Sequence, residues 1–82
     1  MTDDRDEERK ARLRAAINRY LEQCPLAGDT PAGIAACWLP SHGYEDTLQF
    51  LAEVVDAMVA AGELVPRLLP DGRLLYVRGP AL

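Results

Sequence analysis

Along the chain, apolar side chains recur at helical spacing from Leu48 to Val59. Leu48, Leu51, Val55, Met58 and Val59 form one stripe, with Glu53 and Asp56 off it. The pattern predicts a long amphipathic helix that stops at Gly62, the residue best suited to the left-handed conformation just past a helix end. A first helix is marked by Leu13, Ala16, Ile17, Tyr20, Leu21 and Cys24 on one face, and Pro25 ends it. Between the two, Thr30 followed by Pro31 is a hydroxyl cap with proline at the first helical position, and it opens a brief helix that Pro40 closes near Leu39. Its apolar side is Ile34, Ala35, Trp38 and Leu39, with Trp38 as the core anchor; Gly33 lowers its helix tendency and allows another backbone to come close.

After Gly62 the period changes. Residues 63–69 and 73–78 are too short and too punctuated for helices, and Pro70, Asp71 and Gly72 between them are turn residues, so they read as a hairpin. Pro66 has no amide hydrogen, so the first strand should lie at an edge or pair only on its other side. A two-residue loop would set Leu68 opposite Leu75 and Leu69 opposite Leu74; a three-residue loop would pair Leu68 with Leu74 and Val65 with Val77. Either register leaves apolar side chains on both faces.

Helix ends follow from local chemistry. Thr2 or Asp3 can cap the first helix, and the carboxylates after it favour the positive end of the helix dipole. Asp46 or Thr47 is the expected cap of the third, with Gln49 at capping-box distance from Asp46. The basic residues Arg5, Arg9, Lys10, Arg12, Arg14 and Arg19 fill the polar side of the first helix, where Asp6 with Lys10 and Glu8 with Arg12 stand four apart. This side reads as solvated charge in preference to a phosphate-binding stripe. Residues 1–11 are expected as a charged N-terminal helix extension and 12–82 as a single domain.

The chain has 82 residues and a formal charge of -4. Residues 1–24 hold six acidic and six basic side chains, so the whole excess lies in 25–82, and the net field repels phosphate. The acidic opening is unlike a secretory signal, and Asp56, Glu63, Arg67 and Asp71 interrupt the most apolar region, so a cytoplasmic protein without a membrane partner is expected. Cys24 and Cys37 read as reduced, buried thiols.

With His42 they are the only soft ligands, and their separation fits no zinc motif. One histidine beside Ser41 does not make a nucleophile, base and orienting group, and no glycine-rich phosphate loop is present. No enzyme, cofactor or small-molecule substrate is expected.

Three helices with the middle one short, room for a minimal strand near Leu26 and Ala27, and a direct run into a hairpin give the element order of the winged-helix superfamily. The chain resembles it over about residues 12–78, through Ala60, Ala61, Gly62 and Glu63, then Leu64, Val65 and Arg67, the Asp71 and Gly72 turn, and Leu75, Tyr76 and Val77. This looks like the recognition-helix-to-wing segment of many bacterial regulators, and it implies a mainly α fold with a C-terminal β-hairpin. In DNA-binding members the third helix enters the major groove. Here that segment carries Glu45, Asp46, Glu53, Asp56 and Glu63 and no lysine or arginine.

The expectation is therefore a non-enzymatic module for protein-protein interaction or self-association, with Tyr44, Phe50, Leu68, Leu69, Leu74 and Tyr76 as contact surface unless the first helix covers them. The alternative is a transcription regulator that contacts DNA through Arg67, Arg73 and Arg78, helped by first-helix arginines.

Overall fold

The computed structural model describes residues 4–40 and 42–81. The caps expected at Thr2 or Asp3, and Ser41 of the loop, lie outside the described residues. Helix α1 spans Asp4–Gln23 and strand β1 Gly28–Asp29; helix α2, Pro31–Gly33, continues as a π-helical turn over Ile34–Trp38. A 3-10 segment, Glu45–Phe50, runs into helix α3, Leu51–Ala60, and strands β2, Leu64–Leu68, and β3, Leu74–Arg78, follow. Three helices with a small C-terminal antiparallel sheet make a winged-helix-like architecture, mainly α, with the hairpin as its wing.

The core sits where the three helices meet. Leu13, Ile17 and Leu21, four apart and so on one face of α1, pack on Ile34 and Trp38, on Val54, Val55 and Met58, and on Leu64. Trp38 is 4% exposed and stacks on Tyr20 with ring centroids 4.9 Å apart. Thr30 caps α2 as expected, its hydroxyl accepting from the Gly33 amide. What approaches Gly33 is the Asp29 carboxylate rather than a backbone, so closely that a Cβ there would overlap it.

Other local expectations need correction. The third segment begins at Glu45 and is capped by neither Asp46 nor Thr47; the buried Thr47 hydroxyl donates to the Tyr44 carbonyl, and the Gln49 amide reaches only the Asp46 carbonyl, at 3.4 Å. Leu48, expected on the apolar stripe, falls in this 3-10 stretch and is 41% exposed. Both cysteines are free and exposed instead of buried. Cys24 lies past the last residue of α1, where Pro25 turns the chain, and Cys37 stands beside the Ile34 and Trp38 pair that faces the core.

Gly62, at φ +78°, ends α3 as expected: its amide donates to Val59 and that of Glu63 to Met58. The sheet order is β1-β3-β2, and the minimal strand is Gly28–Asp29, two residues later than expected, opposite Val77 and Tyr76. The hairpin takes the three-residue loop, with Leu68 opposite Leu74 and Val65 opposite Val77. A turn closed from the Gly72 amide to the Leu69 carbonyl, then Gly72 at φ +89°, produces that register.

Bonds from Gly79 to Glu63 and from Leu69 to Arg73 bracket the ladder. By alternation Pro66 therefore turns its missing donor toward the open edge of β2.

Candidate functional site

The wing leaves the core quickly. Leu64 is buried at 1%, whereas Leu68, on the same face by strand alternation, is 71% exposed and its partner Leu74 is 40% exposed. Between them Tyr76 packs against the core cluster from the same side. Leu69 is half-buried and falls on the opposite face with Val65, Arg67, Leu75 and Val77. Tyr44 and Phe50 lie elsewhere, along α1: the Arg12 guanidinium stands 5.2 Å from the Tyr44 ring centroid and the Lys10 ammonium 5.3 Å from that of Phe50. The six residues read as one contact surface thus fall into separate sets, and only Leu68 and Leu74 form an adjacent, strongly exposed pair.

The wing arginines are also divided. Arg67 and Arg73 fall on one face of the hairpin and Arg78 on the other. Arg73 is held by the carboxylate of its own turn, at 2.8 Å from Asp71, whose other oxygen accepts from the Arg73 amide.

Four of the six cations of α1 are engaged with the third helical segment or with Glu63 just after it. Arg9 and Arg12 both reach Asp46, at 3.2 and 3.6 Å, and Lys10 reaches Glu53 at 2.8 Å. Arg14 pairs with Glu63, which also accepts from the Asn18 amide at 3.1 Å. Arg12 further donates to the Gly43 carbonyl. Within α1 the pairs are Asp6 with Arg9 and Glu7 with Lys10, three residues apart, in place of the expected spacing of four. The polar side of α1 is thus neither a plain solvated face nor a phosphate stripe. It neutralises Asp46, Glu53 and Glu63, so three of the five carboxylates expected to face a groove turn toward α1, leaving Glu45 and Asp56.

Sequence reasoning missed this seam. The signal was present: residues 9–19 hold five basic side chains and no acidic one, against a segment, 45–63, with five acidic and no basic ones.

Electrostatics follow the geometry. The Glu53 carboxylate, through its hydrogen bond first and its charge next, holds the Lys10 ammonium above its ordinary range, against the opposing pull of burial. Burial, then the Cys24 thiol, pushes the Tyr20 hydroxyl up. Among the described residues no group of three or more His, Cys, Asp or Glu side chains is arranged to hold a metal ion, and no helix is long and apolar enough to cross a membrane.

Compared with known protein families, curated proteins and solved structures, the chain has no significant match. What the fold defines is a class, the winged-helix-like domains, which include both nucleic-acid and protein binders.

Proposed function

We propose that this chain is a non-enzymatic docking module that engages a protein partner, or a second copy of itself, through the apolar end of its wing. The observation that carries the reading is the Leu68 and Leu74 pair, cross-strand neighbours on one face, 71% and 40% exposed beyond the core. Apolar surface gathered on a projecting hairpin gains roughly 25 cal/mol per Å² when a partner covers it. With Pro66 breaking the donors of the open edge, contact runs through side chains and not through an added strand. Tyr44, Phe50 and Tyr76 support the wing and the seam in this reading, and Leu69 borders the patch from behind.

The test is the L68S/L74S double variant in sedimentation velocity, with thermal unfolding alongside. The expected outcome is concentration-dependent association, or capture of a protein partner, that the variant loses while its melting temperature is nearly unchanged. A collapse in stability would show instead that both leucines belong to the core. Salt-sensitive binding of duplex DNA, lost on replacing Arg67, Arg73 and Arg78, would favour the regulator; the docking module predicts no such binding at moderate salt.

A further inference from the structure

Between α1 and the chain that leaves the π-helical turn lies a cleft of about 260 Å³ that neither the seam nor the wing uses. Ala16, Arg19, Tyr20 and Gln23 line one wall, and at offsets of three, four and seven residues they share one face of α1. The other wall is residues 37–40 with Tyr44. The surface between them is mainly apolar. Ala16 is 8% exposed, and the Tyr20 ring lies nearly flat on Trp38, at 12° between planes.

What sets this cleft apart is an uncommitted cation at its rim. Arg9, Lys10, Arg12 and Arg14 are held by carboxylates of the third segment and Glu63, whereas Arg19 has no ion pair and no side-chain hydrogen bond among the described residues. Glu22, three residues on, does not pair with it, and four residues on, where a carboxylate would serve, the chain has Gln23. The Gln23 side-chain amide and the Tyr44 hydroxyl are also unbonded among the described residues, since Thr47 donates to the Tyr44 carbonyl. Three polar heads with unused bonding capacity therefore border an apolar, aromatic floor. A guanidinium presents two parallel donors, which matches a carboxylate. Aromatic walls take a ring in offset or edge contact. The volume lies just under the range of roughly 300–1,000 Å³ usual for small-molecule sites, which limits the occupant to one ring with a short arm.

We infer that this cleft binds a small aromatic monocarboxylate, its carboxylate on Arg19 and its ring between Ala16, Pro40 and Tyr44. Gln23 supplies a further donor to the carboxylate. The site shares no residue with the Leu68 and Leu74 pair, so the two readings fail independently.

Trp38 is the one tryptophan of the chain and lines the cleft, so its emission reports on occupancy. Titration of the full chain with 3-phenylpropionate is expected to change that emission saturably, with amide shift changes at residues 16–23 and 37–44. The alcohol 3-phenylpropanol keeps the ring without the charge, and acetate keeps the charge without the ring; each should bind at least about tenfold more weakly. Arg19→Gln should weaken 3-phenylpropionate binding about tenfold, which is on the order of 1.4 kcal/mol. Gln23→Glu, which gives Arg19 a partner and sets a like charge at the cleft, should weaken it as much. Both positions are exposed, so thermal unfolding of the two variants should match the parent. Arg67→Gln, at an exposed arginine of the wing, should bind as the parent does. No saturable response, equal binding of the alcohol or of acetate, full binding in Arg19→Gln, equal loss in Arg67→Gln, or shift changes confined to another surface would each overturn the inference.

Discussion

The two sides of the third helical segment carry the same acidic residue types and put them to different use. On the inner side Asp46, Glu53 and Glu63 meet Arg9, Arg12, Lys10 and Arg14 of α1 and become part of what holds the helices in register. Glu45 and Asp56 are exposed, as are Leu48 and Ala52, and among the described residues neither carboxylate pairs with Arg9, Lys10, Arg12 or Arg14. The same carboxylate is a fastening when α1 places a base opposite it, and a solvent-facing charge when α1 does not. Counting acids along the helix therefore misstates the field that a partner would meet, which comes mainly from the outer pair.

The comparison is sharpened most by Glu63, the least exposed of the inner carboxylates, with its side chain at 17%. Glu63→Ala removes the partner of both Arg14 and Asn18 and should lower stability by about 1–3 kcal/mol in urea unfolding, since donors left short of partners cost more than a bond is worth. Asp46→Asn, at a more exposed site, should cost under about 1 kcal/mol, and the loss should shrink further as salt rises. The outer substitutions Glu45→Gln and Asp56→Asn should leave the unfolding midpoint where it was. An outer substitution that destabilised as much as an inner one would erase the distinction.

A subtler effect belongs to Lys10. Its folded pKa is raised, so whatever it contributes is fully present below the unfolded value and is lost as pH climbs through the folded one. Carbon NMR at the Lys10 Cε should show the ammonium titrating later than the lysine of an unstructured reference peptide, and Glu53→Gln should bring it back toward the ordinary range. A Lys10 titration indifferent to that substitution would break the seam at this point.

Much of the fold was legible because each element is punctuated. Pro25, Thr30 with Pro31, Pro40, Gly62 and the Pro70 to Gly72 turn act within a few residues of themselves, so local chemistry sets those boundaries. The edge position of β2 was likewise written in Pro66. The errors came where tertiary contacts or a changed helical period overrode the local pattern. Leu48 fits the apolar stripe by spacing yet is left 41% exposed in the 3-10 stretch, and Cys24 shares the face of α1 only while the helix lasts.

The candidate surface was less legible for a related reason. Tyr44 and Phe50 look available along the chain, yet Arg12 and Lys10 lie over them, and a single strand of text does not display which cations will cross to which carboxylates. Leu68 and Leu74 could be paired only once the loop length was known.

The central claim is that α1 neutralises the third helical segment from within, and a double-mutant cycle on Arg14 and Glu63 tests it most directly. With Arg14→Met, Glu63→Gln and the two combined, urea unfolding should give a coupling of about 1–2 kcal/mol, so that the double variant loses clearly less than the sum of the singles. Additive losses, with a coupling below about 0.3 kcal/mol, would show that the two side chains do not act on each other and would contradict the account.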